Sequence, residues 1–442
     1  MRHARIPLWL FLSIACFGNG WVPAATAAPA RRVSLGKAAD VAPTSLTRAI
    51  QEQANGALNR FYASRGFRPL WVSSGEIGEQ GDALIAYLAS ADSDGLNPSS
   101  YDVERLRELI ASARNGGPDE IARAELALSS AFARYVRDQR RFKDVSVTYA
   151  DPRLKPRKLK AEGVLRTAAF PKSFAGYIAD MGWMSPQYVR IRNLMARALK
   201  DGLSKDVLAR LRLNLDRARL LPAPWVHHVV VDASSGRLWY YEAGKQVGAM
   251  RVVVGAKETQ TPMLVGTLQW AILNPYWNVP DYLARNKIAP KVLAGRSLAS
   301  MRMEALSDWT ASAHKLDASA VDWAAVASGS QEVRLRELPG AGNSMGRVKF
   351  LFPNDEGIYL HDTPEKALLQ KSDRHLSNGC IRLENAAELG RWLLQRPVRA
   401  ISKEPEQAVP LPVQVPVYLT YLTATATDAG VAFREDVYGR DQ

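Results

Sequence analysis

The stretch at 222–254, PAPWVHHVVVDASSGRLWYYEAGKQVGAMRVVV, decides the fold. Its segments 226–231, 237–242 and 246–254 are rich in β-branched and aromatic residues. The turn sequences Ser234-Ser235-Gly236 and Ala243-Gly244-Lys245 separate them, a pattern that predicts consecutive antiparallel hairpins. A β domain therefore starts after Pro222-Ala223-Pro224. Further strands are predicted at 265–273, 333–338, 348–352, 357–360 and 413–422, and the helical composition of 281–330 interrupts the sheet as an insertion.

Upstream the period is different. Leu46, Ile50, Ala54, Leu58 and Phe61 recur at helical spacing, as do Ile121, Leu128, Phe132 and Tyr135, so 44–145 is mainly helical. Breaks at 95–99 and 115–118 divide it into short helices, with Ser99 and Asp119 as starts. The segment 151–220 holds 16 Lys or Arg against 6 Asp or Glu. Tyr188, Ile191, Met195 and Leu199, then Val207, Leu211 and Leu215, supply buried stripes for two helices with a solvated basic face; the competing reading is an electrostatic footprint for an acidic polymer.

At 442 residues the chain has room for two or three domains, and 47% hydrophobic with 23% charged residues excludes a disordered or polytopic membrane chain. Arg2, His3 and Arg5 precede an apolar run at 6–17, and Ala25-Thr26-Ala27 follows as a small-x-small cleavage site. This is the layout of a secretory signal peptide over 1–28, with a flexible leader at 29–43. Leu12-Ser13-Ile14-Ala15-Cys16 is an imperfect lipoprotein signal, which makes lipid anchoring the alternative. The chain is therefore expected to be exported. Losing 1–28 removes two Arg and no acid, taking the net charge from +14 to +12. For an exported protein that balance favours a cell-wall or membrane-surface partner and argues against nucleic acid.

Of the two cysteines, Cys16 lies in the signal and Cys380 alone remains, so no intramolecular disulfide forms. Such a thiol is either a buried inert hydrophobe or a nucleophile. The segments Ile358-Tyr359-Leu360-His361-Asp362-Thr363-Pro364 and Ser377-Asn378-Gly379-Cys380-Ile381-Arg382-Leu383 surround it with what a thiolate needs. An imidazole or a cation lowers a thiol's pKa, and His361 and Arg382 can fill those roles. Gly379 permits a tight backbone that exposes the sulfur and aims N–H groups at an oxyanion. His375 is the rival base, expected to be exposed. A zinc set of His361, Asp373, His375 and Cys380 is chemically suitable but matches no known spacing, so no metal is expected. H-E-x-x-H, C-x-x-C and P-loop signatures are all missing, and no cofactor is implied.

These residues resemble the L,D-transpeptidase family, in particular its large Gram-negative branch. The likeness rests on H-D-T-P at 361–364 and S-x-G-C-I-R-L at 377–383, with Gln260-Thr261-Pro262 and Asn274-Pro275-Tyr276-Trp277-Asn278-Val279-Pro280 upstream. It extends to Leu338-Pro339-Gly340, Gly346-Arg347-Val348-Lys349-Phe350 and Tyr418-Leu419-Thr420-Tyr421, and more weakly to Phe61-Tyr62 through Pro69-Leu70-Trp71. The resemblance implies an α+β protein: a helical scaffold domain over 44–220, and a β-sandwich catalytic domain over 221–424 with a helical capping insertion at 281–330. A C-terminal segment at 425–442 follows. It further implies a periplasmic enzyme acting on peptidoglycan stem peptides and acylated by carbapenems. Cys380 would be the nucleophile and His361 the base; Ser377, Asn378 and Gly379 would support the oxyanion, and Tyr359, Trp277 and Arg382 would shape the cleft. Many family members carry His where Asn378 stands, which leaves the role of Asn378 open. No peptidoglycan-binding repeat is evident, so the basic helices, through Arg190, Arg192 and Arg197, are the expected wall-docking face. An L,D-carboxypeptidase that trims stems and a non-catalytic wall-binding protein are the alternatives. Donor length, acceptor and oligomeric state are not encoded in any motif.

Overall fold

Among the described residues, nine α-helices, from Ser45–Gln53 to Lys205–Ala218, make up most of the span 45–218. The computed structural model describes residues 44–441 apart from 142, 144, 311 and 429; the expected signal peptide, with Cys16, and the expected leader lie outside the described residues. Pro118–Gln139 illustrates how the local sequence sets these helices. Pro118 suits a first turn, and the Glu120 carboxylate accepts from the Gly117 N–H at 3.0 Å, so the helix start is capped. Its stripe of Leu128, Phe132, Tyr135 and Val136 is buried. Ser185 and Ser204 cap Pro186–Lys200 and Lys205–Ala218 through their hydroxyls.

Two buried carboxylates tie this half together. Glu125 accepts from Tyr62 Oη at 2.5 Å, Leu70 N at 2.6 Å and Trp71 N at 2.9 Å, which explains why Phe61-Tyr62 and Leu70-Trp71 form one motif. Asp94 accepts from Tyr135, Tyr188 and Gln139 and pairs with Arg192 at 3.0 Å. Arg192 is 5% exposed, so the expected wall-docking role fails for it; Arg217 and Arg219 are likewise buried. Arg190 and Arg197 stay exposed. Part of the basic surplus at 151–220 is therefore internal structure.

In the second half, eight strands close a ring. In spatial order they are Val348–Leu351, Leu360–His361, Ile381–Leu383, Lys245–Gly255, Arg237–Glu242, His228–Asp232, Gln407–Thr420 and Leu264–Leu273, and the last pairs with the first. The expected sandwich is thus a single sheet folded over on itself, which removes free edges. Side-chain alternation divides its two faces. Val229, Val231, Leu238, Val252, Leu268, Phe350 and Val417 fill the interior, while Val230, Tyr241, Val265 and Tyr418 pack on the scaffold helices. Both faces of His228–Asp232 are covered, so all five residues are buried.

Between Leu264–Leu273 and Val348–Leu351 the chain leaves the ring to build the cap. Beside the expected helices it contains a four-stranded sheet ordered Lys315–Leu316, Met303–Leu306, Arg334–Glu337, Trp277–Val279. Val279, Ile288, Ala305, Trp323, Val326 and Leu335 form its own core. After the ring, the hairpin of Ala424–Thr427 and Gly430–Phe433 lies against the scaffold, and the chain then returns to the ring through Tyr438.

Candidate active site

Leu360–His361 runs parallel to Ile381–Leu383, with Leu360 opposite Ile381 and His361 opposite Arg382. Strand alternation sends Leu360 and Ile381 into the ring core, where both are fully buried. It leaves Tyr359, His361, Cys380 and Arg382 on the opposite face. The sequence segments 358–364 and 377–383 therefore meet as adjacent strands.

The turn before Cys380 is held by side chains. Ser377 Oγ donates to Cys380 O at 2.6 Å and accepts from Gly379 N–H at 3.2 Å. Thr261 Oγ1 donates to Gly379 O at 2.7 Å and accepts from Gly255 N–H at 2.9 Å. Gly379 has φ +111°, and a methyl there would sit 3.2 Å from Ile358 Cδ1, so only glycine suits the position. These bonds revise the expected oxyanion roles. Gly379 N–H is committed to Ser377, and the buried Ser377 is a loop tie. The Cys380 N–H has no hydrogen-bond partner among the described residues. Asn378 is exposed, and its side chain makes no hydrogen bond among the described residues.

Cys380 is half-buried, and its Sγ donates to Gly357 O at 3.6 Å. Although part of the residue reaches solvent, burial pushes the thiol up to about 11, against the pull of the Tyr359 N–H and hydroxyl and of the Arg382 charge. Arg382 does pull it down, as expected, but desolvation outweighs that pull, and the other groups that lower it belong to Tyr359 and not to His361. Arg382 forms an ion pair with Glu365, which offsets its field at the sulfur. Burial and the neighbouring sulfur hold the Tyr359 hydroxyl well above its ordinary value.

His361 is 2% exposed, and its Nδ1 lies 2.6 Å from Asp362 O. A carbonyl only accepts, so Nδ1 carries the proton and Nε2 the lone pair. Burial first, then Arg382, lowers its pKa to about 3, which keeps the ring neutral. No hydrogen bond joins His361 to Cys380 among the described residues; Tyr359 is the group at the sulfur, its ring 5.8 Å from that of His361. His375, expected at the surface, has a side chain only 9% exposed. Its Nδ1 bonds Asp373 Oδ1 at 2.6 Å, and its ring meets Tyr438 edge-on. Among the described residues, no three His, Cys, Asp or Glu side chains converge as a metal set.

Trp277 lies in the cap sheet opposite Glu337 and packs on the cap's core; no contact places it at the sulfur. Tyr282, in the short helix Asp281–Leu283 after that strand, is a cap residue that responds to the thiol: its hydroxyl pKa is raised by burial first and then by the Cys380 charge. The one hint in the sequence is an aromatic residue placed two positions after the 274–280 motif.

Comparison with known proteins matches residues 226–413 to the L,D-transpeptidase catalytic domain family and residues 56–195 to the Scaffold domain family. A Haemophilus influenzae protein named provisionally as an L,D-transpeptidase is 24% identical over 395 residues, covering 87% of this chain and 78% of the relative. Among solved structures, an L,D-transpeptidase from Mycobacterium smegmatis is 13% identical over 44% of this chain and 58% of its own, at a TM-score of 0.22. The Ldtfm–avibactam carbamoyl enzyme is 12% identical over 46% and 51%, also at 0.22. The chain thus spans between half and three fifths of these two solved chains.

Proposed function

Because residues 226–413 are an L,D-transpeptidase catalytic domain preceded by a Scaffold domain, we propose that the protein is an exported enzyme that joins peptidoglycan stem peptides through a thioester on Cys380. In this reading the Cys380 sulfur attacks the carbonyl at the L,D bond of a donor stem. Its proton goes to His361 Nε2, whose neutral ring and fixed tautomer suit a base. Tyr359, which lowers the thiol's pKa, eases loss of that proton, and the Cys380 N–H is a donor to hand for the oxyanion. The imidazolium then protonates the leaving D-Ala amine. An amine from a second stem attacks the thioester, losing its proton to His361, and the thiol is regenerated with a new amide bond. Thiol and imidazole are not hydrogen-bonded in the resting protein, and such contacts commonly tighten only when substrate is bound.

The observation that carries the proposal is the parallel strand pair, which puts Tyr359, His361, Cys380 and Arg382 on one face. The signal-like start of the sequence supports the periplasm. The test is incubation of the purified protein with tetrapeptide muropeptides, followed by mass analysis. Dimers lacking one D-Ala are expected; free tripeptide would make the protein a carboxypeptidase. Products that persist in Cys380→Ala would move the chemistry elsewhere. A carbapenem adduct on Cys380 by intact mass is expected on the same reading.

A further inference from the structure

The structure points to a second means of controlling Cys380, on the far side of the loop that holds it. The tight turn at 255–261 touches the nucleophile turn at three places: Thr261 Oγ1 to Gly379 O, Thr259 Oγ1 to Ser377 O at 3.0 Å, and Ala256 N to Ser377 O at 2.8 Å. It is too compact for any side chain at its first residue, since a methyl on Gly255 would fall 2.1 Å from Thr259 O. What presses on the outside of this turn is the segment 436–441. Tyr438 Oη donates to Gly255 O at 2.6 Å and accepts from Thr261 N–H at 3.4 Å. Gln260 Nε2 donates to Tyr438 O at 3.2 Å, and Arg440 Nη2 donates to Gln260 Oε1 at 2.7 Å and Thr261 O at 3.1 Å.

The other end of this segment is fixed to the scaffold. Asp441, its carboxylate buried, accepts from Arg217 Nη1 at 2.7 Å and Arg210 Nε at 2.6 Å, both on the helix Lys205–Ala218. Arg217 also donates to the carbonyls of Tyr421 and Arg440. Asp436 closes the segment on itself by accepting from the N–H groups of Arg440 and Asp441. A continuous set of bonds thus runs from a scaffold helix, through Asp441, Arg440 and Tyr438, to Gln260 and Thr261, and from there to Gly379 beside the sulfur.

We propose that 436–441 is a strap through which the scaffold domain positions the Cys380 turn, with Arg440 and Asp441 as positioning residues. The proposal rests on Cys380 being the nucleophile, but its main readout does not. A side chain misplaced by about 1 Å can cost roughly 10²-fold in rate, so slack in this turn should reach the sulfur without unfolding the domain.

The test uses the mature chain with Arg440→Gln, Arg440→Lys, Asp441→Asn and, as a control, Asp94→Asn. The control weakens the scaffold network but leaves the strap intact. Iodoacetamide alkylation of Cys380 is followed across pH 7–10 beside thermal melting and transpeptidation kinetics. Arg440→Gln and Asp441→Asn are expected to shift the alkylation profile by about threefold or more at fixed pH. They should lower kcat about tenfold with KM nearly unchanged, and Arg440→Lys, which keeps one donor, should recover part of both. Profiles identical to wild type in both strap variants would overturn the proposal, as would an equal shift in Asp94→Asn, which would mark general softening. Alkylation reports on the turn whether or not the protein is a transpeptidase; failure of the functional reading would instead show as products persisting in Cys380→Ala.

Discussion

Tyr359→Phe isolates the balance that sets the reactivity of Cys380. Burial holds the thiol at about 11 even though the Tyr359 N–H and hydroxyl pull it down. At pH 7 such a thiol is ionised to roughly one part in 10⁴, against a few per cent for an ordinary thiol near 8.5. Alkylation by iodoacetamide should therefore climb about tenfold per pH unit, or about 10³-fold between pH 7 and 10, with no plateau below pH 9. The same cysteine in the urea-unfolded chain should react about 10²-fold faster at pH 7. Tyr359→Phe removes the hydroxyl and keeps the backbone N–H, so the profile should move to higher pH; a shift of one unit would lower the rate at pH 9 about tenfold. Cys380 is the only thiol after residue 16, so intact mass reads the modification without ambiguity. A plateau below pH 8 in the wild type would mean that the thiol already exists as an ion pair with His361, and an unchanged profile in Tyr359→Phe would show that the hydroxyl does not touch the sulfur's charge; either result refutes the reasoning.

Further expectations follow from the buried polar groups and the strained turn. Asp94→Ala leaves the Arg192 guanidinium buried without its partner and should cost about 3–5 kcal/mol in urea unfolding, whereas Arg197→Ala, at an exposed pair, should cost under about 1 kcal/mol. Gly379→Ala forces a side chain into φ +111° against Ile358; about 1–3 kcal/mol of strain is expected, together with loss of activity measured on muropeptides. The fully buried His228 has its pKa lowered to about 4, so between pH 6.5 and 4 the unfolded chain binds a proton that the folded one refuses, and stability falls as pH drops through that window. From pH 7 to 5 this histidine should account for about 2 kcal/mol of the loss, seen as a shallower pH dependence of unfolding in His228→Gln.

The sequence made the architecture legible where a local rule coincided with the tertiary outcome. The change of period after Pro224 marks where the helices stop, because a half-buried strand and an amphipathic helix expose different spacings whatever they pack against. Cys380 and His361 stood out because few residue types can do their chemistry. Side-chain environment was harder to read. Arg190, Arg192 and Arg197 look alike in a basic helix, yet only Arg192 turns inward, and its acidic partner lies 98 residues away at Asp94. Of the cap's sheet the sequence showed only the strand at 333–338; its other three strands are two to four residues long and offer too little alternation to count. Tyr282 and the bonds of Ser377 depend on which loops meet, and His375, exposed by its charged sequence neighbours, is covered by Tyr438 from 63 positions away.

The thiol's high pKa follows from the same cause as the fold's closure. A sheet that shuts into a ring must bury the strand pair 360–361 and 381–383 on its inner face, and the 357–359 turn then crowds the outer one. Charge on sulfur or imidazole would have to be desolvated there, and Arg382, the cation that acts on both, is already balanced by Glu365. Two neutral partners are therefore the lower-energy resting state, with the base held in the correct tautomer by Asp362 O and the acid held by Gly357 O. On the proposed mechanism the proton moves only when a carbonyl carbon is at hand to take the sulfur's electrons, so the charge appears on the substrate oxygen in place of the sulfur. That arrangement also protects Cys380 from oxidation, since the thiolate is the form that oxidants attack.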